Sequence, residues 1–376
     1  MQKKIIALAV AAALTAPAMA FAEVTVFGQA NVSYDALKDG AVTTSRSYNQ
    51  LNSNSSRLGF KGSDDLGSGL SAIFQMEAGV SVDSGQAGGK VTTASAAAGT
   101  PAQLFSRNTY LGLKSADFGT LMAGNNDTAY KTSTRGLDMF ADGIADNRGN
   151  QSTGGAFGST MMGGGHDARV TNALNYVSPN MGGFGVAVST VFGAENAANV
   201  ATADKKGSLM SLAATYAQGP LFFALANQTV KAGDAGTGDM AAGGSLSAGA
   251  VGDKSVATKL GGGFKTDAFA INAVYETIKS TVATTATETK GTNYYVGGKF
   301  NFSPKDAVKV AYTNKGSTKK AGTDNKDKAT EATIGYDHAM SKATTVYALY
   351  SKMTVDNAAG TAADPSVISI GTRYAF

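Results

Sequence analysis

Thr292–Phe302, TNYYVGGKFNF, sorts its side chains by parity: Tyr294, Val296, Phe300 and Phe302 fall on one face of an extended chain, Asn293, Lys299 and Asn301 on the other. One face suits hydrocarbon and the other suits water. The split recurs at Val256–Lys265, where Val256, Leu260 and Phe264 oppose Lys259 and Lys265. It recurs again at Ala307–Lys315, where Val308, Val310 and Tyr312 oppose Lys309 and Lys315. A soluble sandwich also alternates. Repeated lysine on the polar face, with aromatics ending the apolar one, favours a membrane barrel with interfacial girdles.

The rest of the chain fits that reading. Its 376 residues include 47 Gly, only 6 Pro and no Cys, so thiol nucleophiles, thiolate metal sites and disulfides are excluded. The mean hydropathy of -0.08 is that of a polar protein, and a transmembrane barrel gives the same average because lipid-facing and lumen-facing residues alternate. At the N-terminus Lys3 and Lys4 precede IIALAVAAALT and then APAMAFA, the order of a secretory signal peptide. That run is shorter than the roughly 20 apolar residues of a membrane-spanning helix. Residues 1–22 are therefore expected to be a leader and 23–376 a single barrel domain. Cleavage after Ala20 or after Ala22 satisfies the small-residue rule, and the second leaves strand-like sequence starting at Glu23.

Sixteen candidate strands follow: 24–35, 55–62, 70–82, 104–114, 119–126, 169–178, 184–193, 207–218, 220–231, 254–266, 268–280, 291–302, 307–316, 329–338, 343–354 and 367–376. Most reach the roughly 9 to 11 residues that a tilted strand needs to cross a bilayer. Long polar connections alternate with short turns such as DDLGSG (Asp64–Gly69), SPNMGG (Ser178–Gly183), Gly219-Pro220 and SPKD (Ser303–Asp306). The expected fold is thus all-β, a 16-stranded antiparallel transmembrane barrel with short periplasmic turns and long extracellular loops.

Several blocks, in order, resemble the trimeric general-diffusion porins, and most closely their Neisseria-like and Burkholderia-like branch. They are EVTVFGQANVSYD, SSRLGFKGSDDLGSGLSAIFQMEAG (Ser55–Gly79), SRNTYLGLKSADFGTLMAG (Ser106–Gly124), ARVTNALNYVSPNMGGF (Ala168–Phe184) and the closing GTRYAF. The resemblance implies an outer-membrane, water-filled channel for passive diffusion of small polar solutes, assembled as a homotrimer. It also implies that the long connection Asp127–Ala168 folds inward as loop 3. Asp138 and Asp142, in DMFAD, match the family's acidic loop motif. Arg57, Arg107 and Arg169 match its basic row, so that the two sets would face each other across a constriction. Three departures stand out: Asn125 where the family commonly has Arg, Gln29 where some members carry Lys, and Ala141 where the loop often has Pro.

Parity sorts the remaining lumen charges. Lys61, Lys259, Lys265, Lys299, Lys309, Lys315 and Arg373 oppose apolar partners, while Glu77 and Glu276 are the expected lumen acids. The excess of base predicts weak anion selectivity. Tyr374 shares a face with Phe376, and an aromatic ending such a strand resembles the signal read by the barrel assembly machinery. Exposed loop lysines such as Lys319, Lys320, Lys326 and Lys328 are more often solvated than functional, with contact to lipopolysaccharide phosphates at the lipid surface as the alternative.

Two other classes are weighed. An outer-membrane enzyme needs a nucleophile with a base, but the two histidines, His166 and His338, stand in no nucleophile-elbow or triad motif. A secreted adhesin would share the composition, and heat-modifiable migration separates it from a barrel. No metal constellation and no phosphate-cradling motif occurs, so no cofactor is expected. The formal charge of +4 includes Lys3 and Lys4, and so small an excess does not argue for nucleic acid.

Overall fold

The computed structural model describes residues 23–40, 45–87, 104–148, 161–162, 165–191, 207–233, 251–356 and 363–376. The leader reading concerns residues outside that set. Sixteen strands form one closed antiparallel barrel. In chain order these are β1 (Glu23–Lys38), β2 (Ser47–Ser53, resuming as Arg57–Gly67), β3 (Leu70–Ser81), β4 (Thr109–Ser115), β5 (Gly119–Asp127) and β6 (Arg169–Val177). Then come β7 (Phe184–Val191), β8 (Ser208–Gln218), β9 (Leu221–Lys231), β10 (Lys254–Lys265) and β11 (Phe269–Thr281). The remainder are β12 (Glu288–Asn301), β13 (Asp306–Lys315), β14 (Ala329–Ala339), β15 (Thr344–Val355) and β16 (Ser366–Ala375).

Each strand pairs with its sequence neighbours, and β1 closes on β16 from Gln29↔Ala375 to Lys38↔Ser366. Closure follows from the solvent. Hydrocarbon offers no partner to a free N–H or C=O, so a spanning sheet has to satisfy its own edges. The parity read from the sequence holds along the wall: Tyr294, Val296 and Phe300 are exposed outward, while Asn293 and Tyr295 are buried inward.

The structure corrects three local readings. The second strand was expected only over 55–62, but Ser47–Ser53 also pairs with β1, from Val32↔Ser53 to Lys38↔Ser47. β2 is therefore one long strand broken at Asn54–Ser56, where Ser55 takes a φ of 53°. Asn54 N donates to Asn31 O at 2.7 Å and Asn31 N to Ser56 Oγ at 2.9 Å, so the break keeps its backbone satisfied. Next, DDLGSG is not all turn. β2 continues to Gly67 opposite Leu70, and only Ser68 and Gly69 reverse the chain. Both have positive φ, 52° and 75°, as the tight turn that matches strand twist demands. Finally, the fourth strand begins at Thr109 rather than at 104, so Arg107 precedes it.

Clusters of buried apolar side chains lie between the inner wall and an inserted loop. Phe140, Ile144 and Met161 of that loop pack with Leu37, Leu349, Met353 and Val367 of the wall, and Leu137 and Met162 pack with Val274 and Tyr295.

At the seam, Gly28 N donates to Phe376 O at 2.9 Å and Phe376 N to Gly28 O at 3.1 Å. The Phe376 ring covers Gly28 on the outer face: a Cβ there would stand 2.6 Å from its Cζ and 2.7 Å from the Arg57 carbonyl oxygen. The ring can rotate away, but the carbonyl cannot. Gly28→Ala should lower barrel stability by about 1–3 kcal/mol, the range for forced overpacking. The check is the temperature at which the barrel loses its heat-resistant gel migration, compared with the parent protein.

Candidate functional site

The inserted loop begins as a short helix, α1 (Ala129–Thr134), followed by a 3-10 turn at Arg135–Leu137. Helix starts leave unpaired N–H groups, and three are satisfied here. Thr128 Oγ1 accepts from Lys131 N at 3.3 Å, Ser189 Oγ of β7 from Ala129 N at 2.8 Å, and Ser211 Oγ of β8 from Tyr130 N at 2.8 Å. Farther along, Asn272 Nδ2 donates to Leu137 O at 2.9 Å, Met139 N to Tyr295 OH at 2.7 Å, and Asn31 Nδ2 to Asp142 O at 2.8 Å. The loop thus runs along the inner wall from β7 past β12 to β1. Each such hydrogen bond contributes about 0.5–1.5 kcal/mol net, and the set fixes the loop's path.

Wall glycines make room for it. A Cβ at Gly261 would meet Leu137 Cδ1 at 2.8 Å, one at Gly297 Met139 Cγ at 2.8 Å, and one at Gly335 Phe140 Cε1 at 2.8 Å. These three face inward on β10, β12 and β14. The sequence carries this signal as glycines at inward parity in LGGGFK, VGGKF and TIGYD.

One buried cluster pins the loop's return. Lys259, 1% exposed, is ion-paired with Asp167, lies 3.9 Å from Glu276 Oε1 and sits 4.1 Å from the Tyr130 ring centroid. Tyr130 OH donates to Glu276 Oε1 at 2.6 Å, and Asn293 Nδ2 donates to Oε2 at 2.8 Å. Lys259 and Glu276 therefore face inward, as parity requires, but the loop covers them. His166 belongs to this anchor: Nε2 is 2.9 Å from Ser255 Oγ, Nδ1 is 3.2 Å from Gln228 Nε2, and burial lowers its pKa to about 4, leaving it neutral. His338 instead meets Asp306 at 2.7 Å near the short-turn rim.

The expected basic row starts where regular strand pairing starts. Arg57 follows the break in β2, Arg107 precedes β4, and Arg169 opens β6. Each is tied to a carboxylate. Arg57 lies 3.1 Å from Asp142 Oδ2 and 3.6 Å from Glu77 Oε1, and Arg107 shares Glu77. Arg169 Nη2 reaches Asp127 Oδ1 at 3.0 Å, which Lys131 also holds at 2.8 Å. The loop adds Arg135, bonded to Asp142 and to Asp146 at 2.7 Å. Of the two loop aspartates singled out by sequence, Asp142 meets the row. Burial works to raise its pKa, but Arg135 and Arg57 hold it below the usual range. Asp138 does not meet the row; it turns into the loop, accepting from Phe140 N at 2.9 Å and Asn147 N at 3.1 Å.

Asn125 Nδ2 caps Arg107 O at 2.9 Å, beside a register shift between Gly124 and Asn126, and Gln29 stands opposite Arg57 in register. Asp127 and Lys131 were not singled out by sequence reading. The i,i+4 spacing of Asp127 and Lys131 was the available signal.

Nearer the short-turn rim, Lys61 lies over the Phe27 ring at 5.2 Å. Lys309 pairs with Asp337 at 2.9 Å and stands opposite Lys299 in register. Lys299 and Arg373 occupy inward positions on β12 and β16, whereas Lys315, on β13 at the long-loop end, reaches Asp327 at 3.5 Å. Lys265 ends β10 as an exposed side chain.

Comparison with known proteins gives a consistent result. A family model described as Gram-negative porin matches residues 7–375. The chain is 32% identical over 224 residues to outer membrane porin protein 32 of Delftia acidovorans, covering 59% of this chain and 58% of that protein. It is 31% identical over 150 residues to the major outer membrane protein P.IB of Neisseria lactamica, covering 39% of each. The chain thus spans roughly two fifths to three fifths of the length of the curated relatives it matches. Among solved structures, an anion-selective porin from Comamonas acidovorans superposes with a TM-score of 0.71 at 22% identity, over 94% of this chain and all of that one, which establishes a shared fold.

Burial, with Asp146 nearby, raises the Asp138 pKa to about 7, and burial raises that of Asp146 against the opposing Arg135. From about pH 4 to 7 the folded protein therefore binds a proton at Asp138 that the unfolded chain has released, so this residue's contribution to stability falls as pH rises through that window, opposed below about pH 6.5 by His166, which folding keeps neutral. On going from pH 5 to pH 8 the thermal midpoint in detergent should move further downward for the parent protein than for a variant without the Asp138 carboxyl. Asp138→Asn, which cannot lose a proton there, should flatten the slope.

Proposed function

Because the chain belongs to the Gram-negative porin family, we propose that it forms a water-filled pore in the outer membrane, through which small hydrophilic solutes and ions diffuse passively. The observation that carries this reading is a closed barrel whose polar inner face is narrowed by a loop fixed along the wall and flanked by paired charges. Arg57, Arg107 and Arg169 on one side, with Asp142 and Arg135 on the loop, form the constriction. A file of opposed charges in a narrow, low-dielectric passage orients dipolar solutes and disfavours bulky apolar ones.

The selectivity is weakly anionic. At the constriction most charges have partners, so its net field is small. Below it Lys61, Lys299, Lys309 and Arg373 face the lumen with Asp337 as the acid ion-paired among them, and this lower wall supplies the positive bias. Salt screens such a field over about 8–10 Å at physiological ionic strength, so the preference grows on dilution. The pore assembles as a homotrimer, each subunit with its own channel. Tyr374 and Phe376, their rings 5.8 Å apart on the outer face, serve as the contact read by the assembly machinery.

In a planar bilayer under a salt gradient, the parent protein should conduct ohmically with a reversal potential on the anion side. Replacing Arg57, Arg107 and Arg169 together by Gln leaves Glu77 and Asp127 without most of their cationic partners, and the reversal potential should swing to cation preference. No conductance from the reconstituted parent would sink the pore. A parent that already prefers cations, or an unchanged triple variant, would overturn the charge assignment. For assembly, Phe376→Ala should reduce the amount reaching the outer membrane while leaving the conductance of each inserted channel intact, measured by membrane fractionation beside single-channel recording.

A further inference from the structure

The inward row of β1 runs Thr25, Phe27, Gln29, Asn31, Ser33, Asp35, Leu37, and it is polar except at Phe27 and Leu37. Leu37 is covered, because the inserted loop packs on it through Phe140, Ile144 and Met161. Phe27 lies at the other end of the strand, toward the short turns, and stays partly exposed. An aromatic ring at a lumen position therefore faces the water of the channel.

The ring has a built seat. Phe27 is the register partner of Gly59 on β2, and a Cβ at Gly59 would stand 2.5 Å from Phe27 Cζ and 2.8 Å from Cε1. The ring thus lies across the glycine. Lys61, the next inward residue of β2, holds its Nζ 5.2 Å from the ring centroid, and in the same row Gln75 and Tyr110 follow on β3 and β4. Tyr110 OH donates to Gln75 Oε1 at 3.4 Å. Farther up the wall Arg57 and Arg107 share Glu77, but among the described residues no acid is ion-paired with Lys61. An exposed ammonium over an exposed ring gains little from the ring alone, so its charge is free to take an anion.

The geometry points to a solute site on this wall for small aromatic carboxylates. The solute ring stacks on Phe27, offset as aromatic pairs prefer, and its carboxylate accepts from Lys61 Nζ. The pairing of the two groups selects this class. An inorganic anion or an aliphatic acid needs only the lysine, and a neutral aromatic needs only the ring; a solute that carries both features uses the seat and the charge together. The inference rests on the pore reading and deepens it, since it names the class of solute that dwells in the channel below the arginine row.

The test uses the purified full-length protein in detergent, with para-fluorobenzoate at neutral pH as the probe and its fluorine NMR line width as the readout. Parent conductance is recorded in a planar bilayer from the same preparation. Broadening should saturate with the parent protein, and Phe27→Ser should weaken binding by roughly three- to tenfold, the worth of one aromatic pair. Phe27→Tyr should keep it. Lys61→Gln should weaken binding and Lys61→Arg should restore it, so a folding failure of the serine variant, seen as lost heat-resistant migration, leaves a second route to the answer. Fluoroacetate, which has the charge without the ring, and para-fluorobenzyl alcohol, which has the ring without the charge, should both bind weakly. Equal binding by the folded Phe27→Ser and Lys61→Gln variants, or either control probe binding as tightly as para-fluorobenzoate, would overturn the site. Saturable binding without parent conductance would tell against the pore alone, and conductance without saturable binding against the site alone.

Discussion

Every backbone polar group within hydrocarbon has to find its partner inside the protein. From that constraint come the antiparallel ladder, its closure through β1 and β16, and the enclosed interior. A closed sheet has only two faces, so each strand must alternate, and the alternation read in TNYYVGGKFNF is the chemical record of that requirement. Irregularities are then tolerated only where something repairs them. The break in β2 is repaired by Asn54 and Ser56 reaching β1, and it lies beside the position from which Arg57 enters the lumen.

The interior is organised by a second rule: a charge removed from bulk water needs a partner. Glu77 serves both Arg57 and Arg107, Asp127 serves both Arg169 and Lys131, and Asp142 links Arg57 to Arg135. The loop and the wall are thereby held together by shared carboxylates as much as by packing. Removing one member of such a chain leaves two neighbours altered, so the effects of single substitutions along it should not add.

Much of this was legible in the sequence. The strand number, the inward and outward faces and the long-loop rim follow from periodicity and from connection lengths, because a two-residue period leaves a mark in every strand. Ser47–Ser53 escaped because SYNQLNS is polar and Asn-rich, as a loop would be, and only its pairing with β1 makes it a strand. Asp64 and Asp65 looked like turn residues for the same reason. The arginines were found through family resemblance, since nothing local distinguishes Arg57 from Lys61. Their carboxylate partners come from other strands and from the loop, and cross-barrel neighbours leave no local signal. Lys259 shows the limit of parity: its face was right, but only the path of the loop decides that it is covered.

The inward glycines have a further consequence. Gly261, Gly297 and Gly335 form a mould on three strands for Leu137, Met139 and Phe140, so the shape of the loop is written twice, once in the loop and once in the wall. Grafting this loop into another barrel would transfer only half of that information, and a host with side chains at those positions would push the insert toward the middle of the channel. Exchange of loops among such barrels should therefore succeed only when the seats travel with the segment that occupies them.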